Sequence, residues 1–235
     1  MYDLIKPELN ELSIKMGRDK LHKLLRDSNL LIKKKKNYHT TTNSNHHYKK
    51  HKNLIKELDI KRPEQVWVTD ITYIKSDNEN LYLTLITDAY SKKIMGYNLA
   101  NNMRAEESLK ALKMAIKNRE KPNSLLIHHS DRGVQFCSNE YVNHLVKSNI
   151  KISMTEKYDP YENAIAERIN GILKDEFDIA DGFINHLHAT KEIKASINIY
   201  NDIRPHLSCQ LMTPNNAHKT GKFKRKIWGK SKPIL

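Results

Sequence analysis

The chain has 235 residues, with 41 Lys and Arg against 27 Asp and Glu and a formal net charge of +14. Such a length holds one sizeable core plus a small appendage, and the two cysteines, Cys137 and Cys209, are too few and too far apart in sequence for a zinc site. There is no apolar run long enough to span a bilayer and no signal-peptide pattern at Met1-Tyr2-Asp3-Leu4-Ile5-Lys6, so a reducing cytoplasm is the expected setting.

The charge is unevenly spread. Residues 1–58 carry +8 and residues 219–235 carry +7, which leaves the middle close to neutral. Basic flanks of this kind suit a polyanion, although solvated basic tails are common and charge alone does not establish DNA binding.

In chain order, residues 7–29 read as two short helices, with Gly17 between them and Leu21, Leu24 and Leu25 spaced for one buried face. Lys33, Lys34, Lys35 and Lys36 open a polar stretch that continues through His46 and His47 to Lys52, a linker by composition. Neither histidine reads as a metal ligand, because no Cys or His follows at finger spacing, and His186 and His188 are equally bland. The pattern then predicts strands at 66–75, 80–88 and 93–100, a helix at 104–118, a strand at 124–129, a helix at 138–148, a strand at 150–154 and a helix at 160–177. Three consecutive strands followed by alternating helices and strands fit a mixed sheet covered by helices. Residues 187–201 read as a further helix, and the tail Lys222-Phe223-Lys224-Arg225-Lys226-Ile227-Trp228 interleaves basic and aromatic residues, as a phosphate-pairing and base-stacking segment would.

Three acids stand out from this frame. Asp70 lies at the centre of the strand Val66-Trp67-Val68-Thr69-Asp70-Ile71-Thr72-Tyr73-Ile74, where an unpaired buried carboxylate would cost several kcal/mol, so a cation or water should reach it. Asp131 follows the short strand Leu125-Leu126-Ile127-His128-His129 and precedes Arg132-Gly133. Taken alone it is a turn former, yet ligands in α/β sheets gather beyond the carboxyl ends of strands. Glu167 sits on a helix announced by Asp159-Pro160-Tyr161-Glu162, which offers an N-cap, a first-turn proline and a capping-box acid. Helical projection puts Ile165, Ile169 and Ile172 on one stripe, with Asn163, Glu167, Asn170 and Lys174 opposite. Together the three carboxylates are hard oxygen ligands suited to Mg²⁺ in a two-metal site for phosphodiester transfer. Asp88 also ends an apolar strand, but Ala89-Tyr90-Ser91-Lys92 reads as a hairpin turn, so Asp88 is expected to be a structural cap; Glu156 and Asp159 are read as loop or capping acids.

Five ordered motifs carry a family resemblance. They are Trp67-Val68-Thr69-Asp70-Ile71-Thr72-Tyr73, Thr87-Asp88-Ala89-Tyr90-Ser91-Lys92-Lys93-Ile94, His129-Ser130-Asp131-Arg132-Gly133-Val134-Gln135-Phe136, Glu162-Asn163-Ala164-Ile165-Ala166-Glu167-Arg168-Ile169-Asn170-Gly171 and Tyr200-Asn201-Asp202-Ile203-Arg204-Pro205-His206. With thirty-five residues between Asp131 and Glu167, the chain resembles the second-reading-frame (OrfB-type) transposase of a bacterial insertion sequence, with a DDE, retroviral-integrase-like core. The resemblance runs through nearly the whole sequence.

It implies an α/β, ribonuclease-H-like fold: a mixed five-stranded sheet flanked by helices, with a small helical N-terminal region and a basic C-terminal tail. The implied divisions are a helix-turn-helix-like region at 1–32, a basic linker at 33–58, the catalytic core at 59–185, a helix and loop extension at 186–218 and the tail at 219–235. Asp70, Asp131 and Glu167 are implied as catalytic metal ligands for two Mg²⁺ ions, with Mn²⁺ as a substitute. Lys174 fills the family's basic position seven residues after the glutamate, two turns along its face. DNA contacts are expected from Lys174, Arg168, Arg18, Lys20, Lys33, Lys34, Lys35, Lys36 and Arg204. A helix-terminating loop pinned by Pro205 is an equal reading of the Arg204 region.

The implied activity is metal-dependent 3′-end cleavage and strand transfer on double-stranded DNA, at element ends and target, by way of a circular intermediate. Implied partners are further copies of the chain on DNA and a first-reading-frame protein, joined by frameshift fusion; no membrane is involved. Two other readings stay open: a ribonuclease-H-like nuclease that only hydrolyses, and a non-catalytic DNA-binding remnant. Joined products separate the first from a transposase, and any Mg²⁺-dependent reaction excludes the second.

Overall fold

The computed structural model describes residues 2–32, 44, 46–156 and 163–223. The chain divides into two compact units, Met1–Lys36 and Asn37–Leu235. Lys33–Lys36, the Asp159-Pro160-Tyr161-Glu162 helix start and the tail from Lys224 lie outside the described residues.

The first unit holds α1 (Tyr2–Glu11) and α2 (Arg18–Asp27). Gly17 separates them as expected and forms the N-cap of α2. The shared apolar face does not form: Leu21 is buried, but Leu24 is 51% exposed. Two ten-residue helices supply too little apolar surface for a core of their own, so spacing alone could not bury all three leucines.

The second unit is built on β1 (Val66–Ile74), β2 (Leu81–Asp88), β3 (Ile94–Ala100), β4 (Leu126–Ser130) and β5 (Ile150–Met154). Their order in the sheet is β3-β2-β1-β4-β5. β1 to β3 pair antiparallel, whereas β4 runs parallel to β1 and β5 parallel to β4. Around the sheet lie α3 (Ala105–Lys117), the single turn α4 (Val134–Cys137), α5 (Asn139–Lys147), α6 (Ala164–Glu176), α7 (His186–Asp202) and α8 (Pro214–Thr220). Every strand of the sequence reading is present, with ends shifted by a residue or two.

Alternation along β1 divides the core. Trp67 and Ile71 point to one face, where they pack with Leu109, Leu112, Phe136, Tyr141 and Leu145. Val66 and Val68 point to the other and meet Ala166 of α6, while Ile74 joins Leu83, Ile169, Ile172 and Tyr200. Asp70 shares the parity of Val66 and Val68, so the pleat directs it to the α6 side. A one-residue slip would turn it toward α3 and α5 instead.

The Tyr200–His206 motif proves to be a clamp. Tyr200 Oη donates to Lys92 O at 2.9 Å, and Asn201 takes both backbone groups of Ile94, accepting from its N at 2.9 Å and donating to its O at 3.1 Å. Arg204 grips Glu176 of α6 through Nε and Nη2, at 2.5 and 2.6 Å. This two-pronged contact uses the guanidinium to lock α7 to α6, so Arg204 has a structural role in the fold.

Asp88 is the buried cap expected of it. Its carboxylate accepts from the backbone N of Glu64, Tyr90 and Ser91 and from Ser91 Oγ. Glu64, which the sequence reading passed over, is fully buried beside it and accepts from the amides of Glu120 and Lys121 at 2.6 and 2.9 Å. Burial alone would raise its pKa, but hydrogen bonds from His218 and those two amides outweigh it and bring the carboxyl to about 2. His218 belongs to α8, a helix not predicted although Thr213-Pro214 supplies its N-cap and first-turn proline.

The close seat of α3 on β3 depends on Gly96, where a Cβ would meet Ala111 O and lie 2.6 Å from Ala115 N. Gly96→Ala should therefore cost about 1–3 kcal/mol by overpacking. Urea unfolding checks this, and an unchanged midpoint would contradict the packing described.

Candidate active site

Asp70 is half-buried near the middle of β1, opposite Leu85 of β2. Its Oδ2 accepts from Asn170 Nδ2 at 2.8 Å. Seven residues earlier, Asn163 Nδ2 donates to Thr69 O at 3.1 Å. These two asparagines, separated by two helical turns, fix α6 against β1. The face of α6 opposite the isoleucine stripe is thus divided: Asn163 and Asn170 are buried on β1, Lys174 is partly buried and Glu167 is exposed, while Ile165 of the stripe is only partly buried. Sequence reasoning found that face but missed the role of its asparagines. Their shared spacing with Glu167 was the available signal.

Asp131 follows directly on Ser130, the last residue of β4. Its Oδ1 accepts from Gly133 N at 2.9 Å. The turn-forming role is thus present, and the turn holds the carboxylate beyond the strand end. Gly133 has to be small here, because a Cβ would lie 2.8 Å from Gln135 Oε1 and 3.0 Å from Asp131 Oδ1. Parallel pairing of Val68 with His129 sets β4 beside β1, which brings Asp131 toward Asp70.

Electrostatics show that the acids share one locale. Burial raises the Asp70 pKa first, the Asp131 charge adds to it and Glu167 adds more, against hydrogen bonds from the Ile71 amide and Asn170; the result is about 7. Glu167, in the first turn of α6, is exposed, with its own pKa raised by desolvation. Lys174 is partly buried on the same helix; burial lowers its pKa while Asp70 and Asp175 pull it back up. The structure thus gathers Asp70, Asp131, Glu167 and Lys174.

Arg168 is exposed on α6, and Arg18 and Lys20 are exposed on α2 in the first unit. His46 bonds the backbone of the Asp131 loop, its Nε2 lying 2.9 Å from Arg132 O, and His186 lies 3.2 Å from Leu99 O; both are polar contacts.

Among the described residues, no three His, Cys, Asp or Glu side chains are grouped closely enough to enclose a metal ion. The three acids are an open donor set. An all-carboxylate set in which Asp131 and Glu167 oppose the ionisation of Asp70 fits Mg²⁺, which relieves like charge and takes one or two carboxylates while keeping places for water and substrate oxygens. A closed structural cage, by contrast, would leave no room for a reacting phosphate.

Residues 60–160 match a family model described as integrase core domain, and residues 148–214 match a second model of the same description. An uncharacterized 31 kDa protein of insertion element IS600 from Shigella sonnei is 38% identical over 204 residues, covering 86% of this chain and 75% of that protein. Transposase InsF for insertion sequence IS3A, from Escherichia coli (strain K12), is 33% identical over 153 residues. That match takes in 65% of this chain and 53% of InsF, so the chain matches about half the length of that relative. In fold, the HTLV-2 integrase catalytic core domain, solved in complex with magnesium, aligns at a TM-score of 0.54 with 21% identity, over 67% of this chain and 97% of that one. A simian T-cell lymphotropic virus intasome chain aligns at 0.59 with 19% identity, over 81% and 65%.

Asp70 holds its proton to about pH 7, against the ordinary 3.8, so its ionisation opposes folding as the pH rises through that interval. The penalty is absent below about pH 4 and complete above about pH 7. Without metal, Asp70→Asn should gain about 1–2 kcal/mol at pH 8, allowing for partial solvent screening, and nothing at pH 3.5. Thermal melts at the two pH values test this; a variant no more stable than wild type at pH 8 would contradict the crowding of the acids.

Proposed function

The chain belongs to the integrase-core family of insertion-sequence transposases, and on that premise we propose that it cuts mobile-element ends and joins them to target DNA. The observation that carries this reading is the convergence of Asp131 and Glu167 on Asp70, from a strand end and a helix that meet only in the folded chain. Asp70, Asp131 and Glu167 would hold two Mg²⁺ ions, with Mn²⁺ as a substitute. Bound there, the ions supply a Lewis acid for the phosphodiester and lower the pKa of the attacking hydroxyl.

The chain's own residues supply the rest. Asn170 fixes the Asp70 carboxylate from α6, and the Gly133 turn fixes Asp131. Held partly out of water beside Asp70, the Lys174 ammonium anchors non-bridging oxygens of the reacting phosphate in line with the nucleophile. Water serves first as nucleophile and frees a 3′-OH; that hydroxyl then attacks a second phosphodiester and expels a new 3′-OH. Protein side chains form no covalent link to DNA in either step.

Around this core, residues 1–32 would bind element ends through Arg18 and Lys20, with Lys33–Lys36, Arg168 and the basic tail tracking phosphates. Synapsis of two ends calls for at least two copies of the chain, together with a first-reading-frame partner or fusion. The reaction would take place in the bacterial cytoplasm, on the nucleoid.

Purified full chain with Mg²⁺ and a labelled duplex ending in the element's terminal repeat should give cleaved and joined products. A folded Asp131→Asn variant should lose about three orders of magnitude in rate. Cleavage without joining would point to a hydrolytic nuclease, and wild-type binding without chemistry would contradict the proposal.

A further inference from the structure

The loop that carries Asp131 also carries a cation, Arg132, for which no ion pair is found among the described residues. Arg132 is half-buried, and its Nε is sealed from solvent without a hydrogen bond; among the described residues no carboxylate pairs with it. An N–H so placed is a donor that an oxygen acceptor can take up.

The segment preceding the sheet closes on this loop. His46 Nε2 donates to Arg132 O at 2.9 Å, while the Nδ1 of His46 and the Nε2 of His51 are buried without a hydrogen bond among the described residues. Further along, the segment is fastened to the outer strand: Met154 N donates to Lys52 O at 3.4 Å, Leu54 N to Ser153 Oγ at 2.8 Å and Asn53 N to Glu156 Oε1 at 3.0 Å. Lys50, between these anchors, remains exposed. Around the Cys137 thiol, which burial and then Asp131 raise to about 11, Lys50 and Arg132 pull the other way. Both cations therefore stand near one side chain that also feels Asp131.

We propose that Arg132 and Lys50, seated by His46, form a subsite for a DNA backbone phosphate flanking the reacting one. A phosphodiester oxygen accepts from a guanidinium and an ammonium together, and its charge is what two cations from separate segments can share. His46 acts here as a positioning residue, tying the segment that bears Lys50 to the loop that bears Arg132. The proposal rests on the DNA strand-transfer reading of the site, since a phosphate beside Asp131 is a neighbour of the scissile one.

The test uses the full chain, wild type and Lys50→Gln/Arg132→Gln, with duplexes carrying one methylphosphonate at successive positions around the scissile phosphate. Binding is measured without metal over a range of KCl concentrations, and cleavage of the unmodified duplex by the wild type is measured with Mg²⁺. The double variant should bind about tenfold more weakly, with a log K against log salt slope shallower by about 1. One methylphosphonate position should reproduce that loss in the wild type and add nothing in the double variant. Lys50→Gln alone, a change at an exposed side chain, should show partial coupling to the same position. Equal losses in wild type and variants at every position would overturn the subsite while leaving the strand-transfer reading intact. Failure of the wild type to cleave the unmodified duplex would overturn that reading and the subsite with it.

Discussion

The burial of Asp70 beside the charges of Asp131 and Glu167 is the constraint on which the account of the second unit turns. Asp70 carries its burden of burial and of the Asp131 and Glu167 charges on the strand that pairs with both β2 and β4. A site of that kind persists only where the scaffold fixes each acid independently. The pleat fixes Asp70, a turn fixes Asp131 and a helix fixes Glu167. Asn163 and Asn170 press that helix onto β1, while the Arg204–Glu176 pair ties it to α7, which is itself anchored through Tyr200 and Asn201 to the β2–β3 turn. Residues far from the acids in sequence thus set their spacing, and a preorganised, repulsive cluster is what a divalent cation can convert into a reactive centre.

The sheet was legible because its information is local. β-Branched and aromatic residues in Val66–Ile74, and an apolar run in Leu81–Asp88 followed by a turn sequence, specify strands whatever the rest of the chain does. The same locality separated Asp88 from the site acids: the hairpin turn after it marked it as a cap, and its carboxylate is consumed by backbone amides. Asp70, Asp131 and Glu167, the acids proposed to hold the metal, were singled out by their contexts and by the thirty-five-residue spacing between Asp131 and Glu167.

What escaped the sequence depends on contacts across long stretches of chain. Glu64 meets His218 across most of the molecule, and Arg204 finds Glu176 by tertiary packing; neither pairing leaves a periodic trace. The asparagines of α6 were placed on the correct face, but nothing in a helical projection tells a face that meets solvent from one that meets a strand. In the first unit the leucine spacing was genuine, yet burial needs a second layer that spacing cannot supply, and Leu24 remains exposed. The Lys50–Arg132 neighbourhood arises in the same way, from a segment that composition marked only as a linker and that His46 brings to the Asp131 loop.

The most direct test of a shared metal site is crystals of the full chain grown with Mn²⁺, recorded at the manganese absorption edge. Anomalous density between Asp70 and Asp131, on the side facing Glu167, is the predicted result, and Asp131→Asn should abolish or displace it. Density that avoids these acids in the wild type, or persists unchanged in Asp131→Asn, would contradict the account.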